Sequence, residues 1–173
     1  RQMCIRDRNT ELTDFYKDYA EARPEAGTSV QDYTLPEPTA DSYSEEMLEN
    51  AKNFSDYAVV VVSRVSGECF DLPTDMYEVI HNDNFDPDNQ SIAENGTYTN
   101  NGDYDDFEKG QSYLTLDKTE QDMVNLVCEN FDSVIVVYNG ANTMEMDWTD
   151  EYPQIRGVIL CPGAGSTGFN ALG

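Results

Sequence analysis

A chain of 173 residues, 39% of them hydrophobic, is long enough for one domain with a packed core. Its 34 Asp and Glu against 10 Lys and Arg give a net charge of -24, which repels phosphate backbones and anionic lipid, and so excludes nucleic acid and membrane surfaces as partners. The apolar run from Ala58 to Val62 suits a strand and falls far short of the ~20 apolar residues a membrane helix needs. The acidic excess reads as a solvated, highly soluble surface. Four cysteines (Cys4, Cys69, Cys128, Cys161) lie far apart, with no CxxC pair and only His81 as a histidine. This argues against a zinc site and carries no disulfide signal.

Residues 1–8 (RQMCIRDR) hold three of the ten basic residues and no apolar periodicity. The string resembles a translated sequencing-adapter scar and is set aside from the fold argument. Without it the net charge is -26. Residues 9–43 read as a short helix over 9–23, with Leu12, Phe15, Tyr16 and Tyr19 on one face, and then a connector. The connector holds Pro24, Gly27, Pro36 and Pro38 and should be extended.

From residue 44 to 173 a helix-then-strand unit repeats. Ser44 is a good N-cap for a helix to about Phe54, with Met47, Leu48 and Ala51 on one face. The β-branched run AVVVVS (58–63) follows as a strand. Asp117 with Glu120 forms an acidic capping box that opens a second helix, striped by Met123, Val124, Val127 and Phe131. SVIVVY (133–138) is the second strand. A short helical piece near 150–154 precedes the third strand, GVILC (157–161), and a last helix starts near Thr167. This alternation predicts an α/β fold: a mostly parallel sheet with helices on both faces. Ligands gather at the carboxyl ends of such strands. Three loops leave those ends, starting near Arg64, Asn139 and Pro162.

The first of these loops is long and includes an insertion over 82–112 rich in Asn, Asp and Gly, expected to lie over part of the site. Its aspartates (Asp83, Asp86, Asp88, Asp103, Asp105, Asp106) do not keep EF-hand offsets, so a solvated acidic loop is the reading. Asn53, Asn89 and Asn95 stand in Asn-x-Ser/Thr sequons, which matter only in a secreted eukaryotic protein.

Glu68, in SRVSGECFDLP (63–73), leaves a strand end between a glycine and a small residue, a place where a carboxyl acts as a general acid if a partner carboxyl is near. The plain alternative is one surface glutamate among many. GAGSTG (163–168) matches the dinucleotide fingerprint after a strand, but on the third strand rather than the first, and it reads equally as a tight strand-to-helix turn. Trp148 is either an aromatic platform for a sugar or a packing residue at the core edge.

The stretches FSDYAVVVVSRVSGECFDLP (54–73) and YLTLDKTEQ…STGFNALG (113–173) together resemble the α/β sandwich domain of glycoside hydrolase family 3 β-glucosidases. In that family a strand runs into SR-x-SGEG-x-D, a later helix precedes VIVVLN and a Met-acid pair before a Trp, and a PGQ-x-G turn opens a helix. The blocks stand here in family order over about half the chain. The resemblance implies a retaining, exo-acting hydrolase of β-linked glycosides that needs no cofactor. It implies that Glu68 is the acid/base, with Cys69 in place of the usual glycine. The partner nucleophile, which must lie ~5–5.5 Å away, would be an Asp of a barrel domain of the same parent chain. A fragment without that barrel is expected to be inactive alone. Arg64 and Asp71 flank Glu68 and either touch a sugar hydroxyl or form a local salt bridge that orders the loop. Ser55-Asp56-Tyr57 mimics the family's nucleophile motif but lies before its strand, so Asp56 is read as a turn residue. Two other readings stay open: a non-catalytic carbohydrate-binding or scaffold domain, and a nucleotide-binding oxidoreductase resting on the 163–168 glycines.

Overall fold

The structure is a computed structural model, and it describes residues 8–23, 32–67, 72–81, 98 and 105–163. The expected helix near Thr167, most of the GAGSTG turn, most of the 82–112 insertion, and Glu68, Cys69 and Asp71 lie outside the described residues.

Helix α1 (Thr10–Ala22) starts where Asn9 accepts a hydrogen bond from the Leu12 amide at 3.0 Å. Its Phe15 and Tyr16 pack on Tyr43, and Tyr16 and Tyr43 share a hydroxyl–hydroxyl bond of 2.6 Å. Helix α2 (Glu45–Phe54) is capped by Ser44, whose Oγ accepts from the Met47 amide at 3.1 Å. Strand β1 (Ala58–Ser63) follows. Helix α3 (Met76–Ile80) is a short element with no counterpart in the sequence reading. Its signal was present: Asp75 is the N-cap, and Met76, Val79 and Ile80 recur at helical spacing. Helix α4 (Lys118–Asn130) opens with the expected capping box. Asp117 Oδ1 accepts from the Glu120 amide at 2.7 Å, and Glu120 Oε2 accepts from the Asp117 amide at 3.0 Å. Strand β2 (Val134–Asn139), a 3₁₀ turn (Asp147–Glu151) and strand β3 (Ile155–Leu160) complete the described chain.

The three strands form one parallel sheet in the order β1-β2-β3. Register places Val60 beside Val136 beside Val158. On that face Val60, Val62, Val134 and Val136 pack under Met123, Val124 and Cys128 of α4, with Trp148 and Leu116 closing the edges. The residues alternate by the period of two that a strand imposes. Val59 and Val61 therefore point the other way and are 61% and 44% exposed. Ile159 shares their face and is also exposed. Among the described residues, α4 covers one face of the sheet; on the other, Val137 is buried, while Val59, Val61 and Ile159 stay exposed beside α1.

A second cluster joins Tyr33, Met76, Phe107 and Tyr113, with Leu72, Val79, Ile80 and Tyr98 around it. It lies where the connector, α3 and the end of the insertion meet. Of the connector, residues 32–43 are described; they include a 3₁₀ turn at Ala40–Ser42, and Asp32, Tyr33 and Thr34 are buried.

Gly140, just past β2, turns close over Tyr138. An added Cβ would stand 2.4 Å from the Tyr138 hydroxyl oxygen and 2.7 Å from its ring carbon Cζ. Tyr138 is 2% exposed and has little room to yield. Gly140→Ala should therefore cost about 1–3 kcal/mol by overpacking. A lower midpoint in urea unfolding, read by circular dichroism, checks this; an unchanged midpoint contradicts it.

Candidate functional site

Parallel register brings the carboxyl ends of the strands together. Ser63 pairs with Asn139, and Tyr138 with Leu160. The Arg64 amide continues the ladder to the Asn139 carbonyl at 3.2 Å, and the Cys161 amide bonds the Tyr138 carbonyl at 2.8 Å. Three segments leave this edge: 64–67, 140–146 and 161–163. In the first, burial declines from Arg64 to an exposed Gly67, so the backbone reaches solvent one residue before Glu68.

Arg64 turns inward. Its side chain is 3% exposed and faces Glu120, itself 4% exposed. Nη1 donates to Glu120 Oε1 and to the Ser63 carbonyl (2.8 Å), and Nη2 donates to Glu120 Oε2 (2.6 Å) and to the Thr115 carbonyl (2.6 Å). Nε donates to the Tyr113 carbonyl at 2.9 Å. Five donors meet five acceptors, the full capacity of a guanidinium. The sugar-hydroxyl role expected as one option for Arg64 thus finds no spare donor, because the protein's own carbonyls and Glu120 occupy all five. Burial opposes the charge on Arg64, but Glu120 more than offsets it and raises the pKa above the ordinary arginine value.

Glu120 serves two ends at once. One oxygen closes the capping box of α4, and both bind Arg64. The box was legible in the sequence. The ion pair was not, since its partners are 56 residues apart. Around them stand further acids. Asp117 is held well above the carboxylate range by burial and by the charge of Glu120. Burial also raises Asp106, whose Oδ1 accepts from Thr119 Oγ1 at 3.0 Å.

Glu37, from the connector, is raised to about 7 by burial first and by the charge of Glu120 second, with Arg23 and Arg64 pulling the other way. Its ordinary value is near 4.5, so the folded state holds a proton that the unfolded chain has lost between pH 4.5 and 7. Stability from this group is full below its unfolded value and fades as pH rises through 7. Glu37→Gln should therefore gain about 1–2 kcal/mol on the wild type at pH 8 relative to pH 5, after allowance for solvent screening. Thermal melts at the two pH values check this; a gain that is equal at both contradicts it.

Segment 112–116 floors the mouth. Tyr113 bonds Arg64, Val65 and Pro73, and the Leu114 carbonyl accepts from the Glu145 amide of the β2 loop at 2.9 Å. Tyr113 is raised to about 12 by burial, so its hydroxyl stays neutral. No sequence pattern pointed to Tyr113, because both stretches it bonds lie far from it along the chain.

Trp148 is 9% exposed, joins the α4 core and donates Nε1–H to the Glu145 carbonyl at 3.0 Å. It packs, and offers no open ring to a sugar. Asp56 lies in an exposed bend before β1, as expected of a turn residue. His81 stacks on Tyr77, and among the described residues no cluster of His, Cys, Asp or Glu has the makings of a metal site. Among the same residues no helix is long and apolar enough to cross a membrane. Of the 163–168 glycines, only Gly163 is described; it follows β3 and is exposed.

No protein-family model matches the chain. β-Glucosidase A of Butyrivibrio fibrisolvens is 28% identical over 157 residues, which is 89% of this chain and 16% of that protein. The crystal structure of a β-glucosidase from Paenibacillus barengoltzii shares the fold with a TM-score of 0.58, at 21% identity, over 89% of this chain and 13% of that one. The chain thus spans about a sixth of the length of the curated relative it matches. In sequence and in fold this chain, α/β with a parallel sheet, is similar to a segment of β-glucosidases.

Proposed function

We propose that this chain is the α/β sandwich segment of a retaining, exo-acting β-glycosidase of the family 3 type, and that Glu68 is its acid/base. One observation carries the reading: the chain is similar to a β-glucosidase over 89% of its length, and Ser66 and Gly67, which precede Glu68 in sequence, leave the carboxyl end of β1. In the proposed cycle the Glu68 carboxyl protonates the leaving glycosidic oxygen while an Asp from a barrel domain attacks the anomeric carbon. The Glu68 carboxylate then takes a proton from the water that releases the sugar. The substrate is a β-linked glucoside or related sugar, and no cofactor takes part. Asp71 is proposed to shape the loop beside Glu68. The exposed apolar side chains Val59, Val61 and Ile159, which flank the buried Val137, agree with a sheet whose edges on that face meet more protein.

The flanking DNA tests this. It should encode a barrel carrying a Ser-Asp-aromatic nucleophile motif, and the longer product should hydrolyse aryl β-glucosides while the 173-residue chain alone does not. Flanking sequence that encodes no such barrel, or a longer product with no glycosidase activity, overturns the assignment.

A further inference from the structure

The segment proposed to carry the acid/base has two described ends, and one distant residue holds both. The Val65 amide donates to the Tyr113 hydroxyl oxygen at 3.0 Å. The Tyr113 amide donates to the Pro73 carbonyl at 3.0 Å. The Tyr113 carbonyl accepts from Arg64 Nε, and the Arg64 guanidinium lies over the Tyr113 ring, 5.3 Å from its centroid. The ring itself is fixed: it is 2% exposed and meets Tyr33 edge-on at 4.8 Å.

We propose that Tyr113 is a positioning residue for the proton donor, a clip that fixes where the chain leaves β1 and where it returns. The inference rests on the assignment of Glu68 as acid/base. Its physical basis is that a proton donor must meet the leaving oxygen within hydrogen-bond reach, and a displacement of ~1 Å costs up to ~100-fold. The Val65 amide is three residues from Glu68, so the bond from that amide to a rigid, buried phenol holds the chain at Val65, just ahead of the donor in sequence. The bond to Pro73 sets the other end. The hydroxyl is the one part of the clip that a substitution removes cleanly. Tyr113→Phe keeps the ring, its contact with Tyr33, the main-chain bond to Pro73 and the carbonyl that Arg64 needs. It strands the Val65 amide, which then seeks another partner and carries the chain with it.

The experiment uses the longer gene product and two substrates that differ in their need for an acid. An alkyl β-glucoside has a poor leaving group and needs protonation; 2,4-dinitrophenyl β-glucoside does not. Tyr113→Phe should lower kcat/KM about tenfold on the alkyl glucoside and less than about twofold on the dinitrophenyl one. It should also shift the pH limb that reports the acid. A loss shared equally by both substrates, as partial misfolding would give, overturns the proposal, and so does no loss on either. Glu68→Gln, measured beside it, separates the two levels. If Glu68→Gln shows the leaving-group signature and Tyr113→Phe does not, the clip is wrong and the acid assignment stands. If Glu68→Gln shows none, both fall.

Discussion

Arg64→Met is expected to bring the 173-residue chain close to unfolding at room temperature. The arginine is the one cation facing Glu120 in the described structure, and Asp117 and Glu37 crowd the same space. Methionine keeps the apolar stem but strands the Glu120 carboxylate in a dry site. Removing one partner of a buried pair costs about 3–5 kcal/mol. The same change frees the buried carbonyl of Tyr113 and the half-buried carbonyl of Thr115, whose lost bonds cost more. A domain of this size has only about 5–15 kcal/mol in all. Urea unfolding followed by circular dichroism should show a loss of at least about 3 kcal/mol. A loss under about 1 kcal/mol would mean that the pair is solvated or that water replaces the guanidinium.

Glu68→Gln is expected to have the largest effect on activity in the longer gene product. The amide fills the same space and has no acidic proton to give. General acid catalysis supplies about 10²–10⁴-fold, so kcat/KM on a glucoside with a poor leaving group should fall by that factor. The second half-reaction should slow as well, because in the proposed cycle the same group takes the proton from water. With an activated aryl glucoside the first step survives, and a burst of released phenol followed by slow turnover is the expected trace. Equal, modest losses on all substrates would place Glu68 outside the chemistry.

Much of this fold was legible because its signals are local. AVVVVS carries its own strand signal, and β1 spans those same residues, Ala58–Ser63. Ser44 and the Asp117–Glu120 pair are caps whose bonds close within three residues, so the starts of α2 and α4 follow from the sequence. β2 and β3 run slightly displaced from the expected ranges, as strand ends are set by the neighbour's register and not by composition. The helical piece expected near 150–154 is a 3₁₀ turn starting at Asp147. There Trp148 buries its ring, so tertiary packing, not periodicity, places the element. Helix α3 is only five residues long, and it gains its order from burying Met76 in a cluster built by remote segments.

The candidate site divides the same way. The resemblance marked Glu68, Arg64 and Asp71 on one short stretch. What anchors the described part of that stretch comes from elsewhere: Glu120 from α4, Tyr113 and Thr115 from the segment before it. An ion pair spanning 56 residues leaves no periodic trace in one sequence. Arg64 itself shows the limit of reading a motif by proximity. It adjoins the proposed acid in sequence, yet its side chain points into the core and binds the floor of the mouth.

The most direct test is chemical rescue. Glu68→Ala in the longer gene product, given 2,4-dinitrophenyl β-glucoside, should form a glycosyl-enzyme that water attacks slowly for want of a base. Azide needs no base, so adding it should restore turnover and yield the β-configured glucosyl azide. A variant whose rate ignores azide, or whose product is free glucose alone at the wild-type rate, would contradict the role given to Glu68.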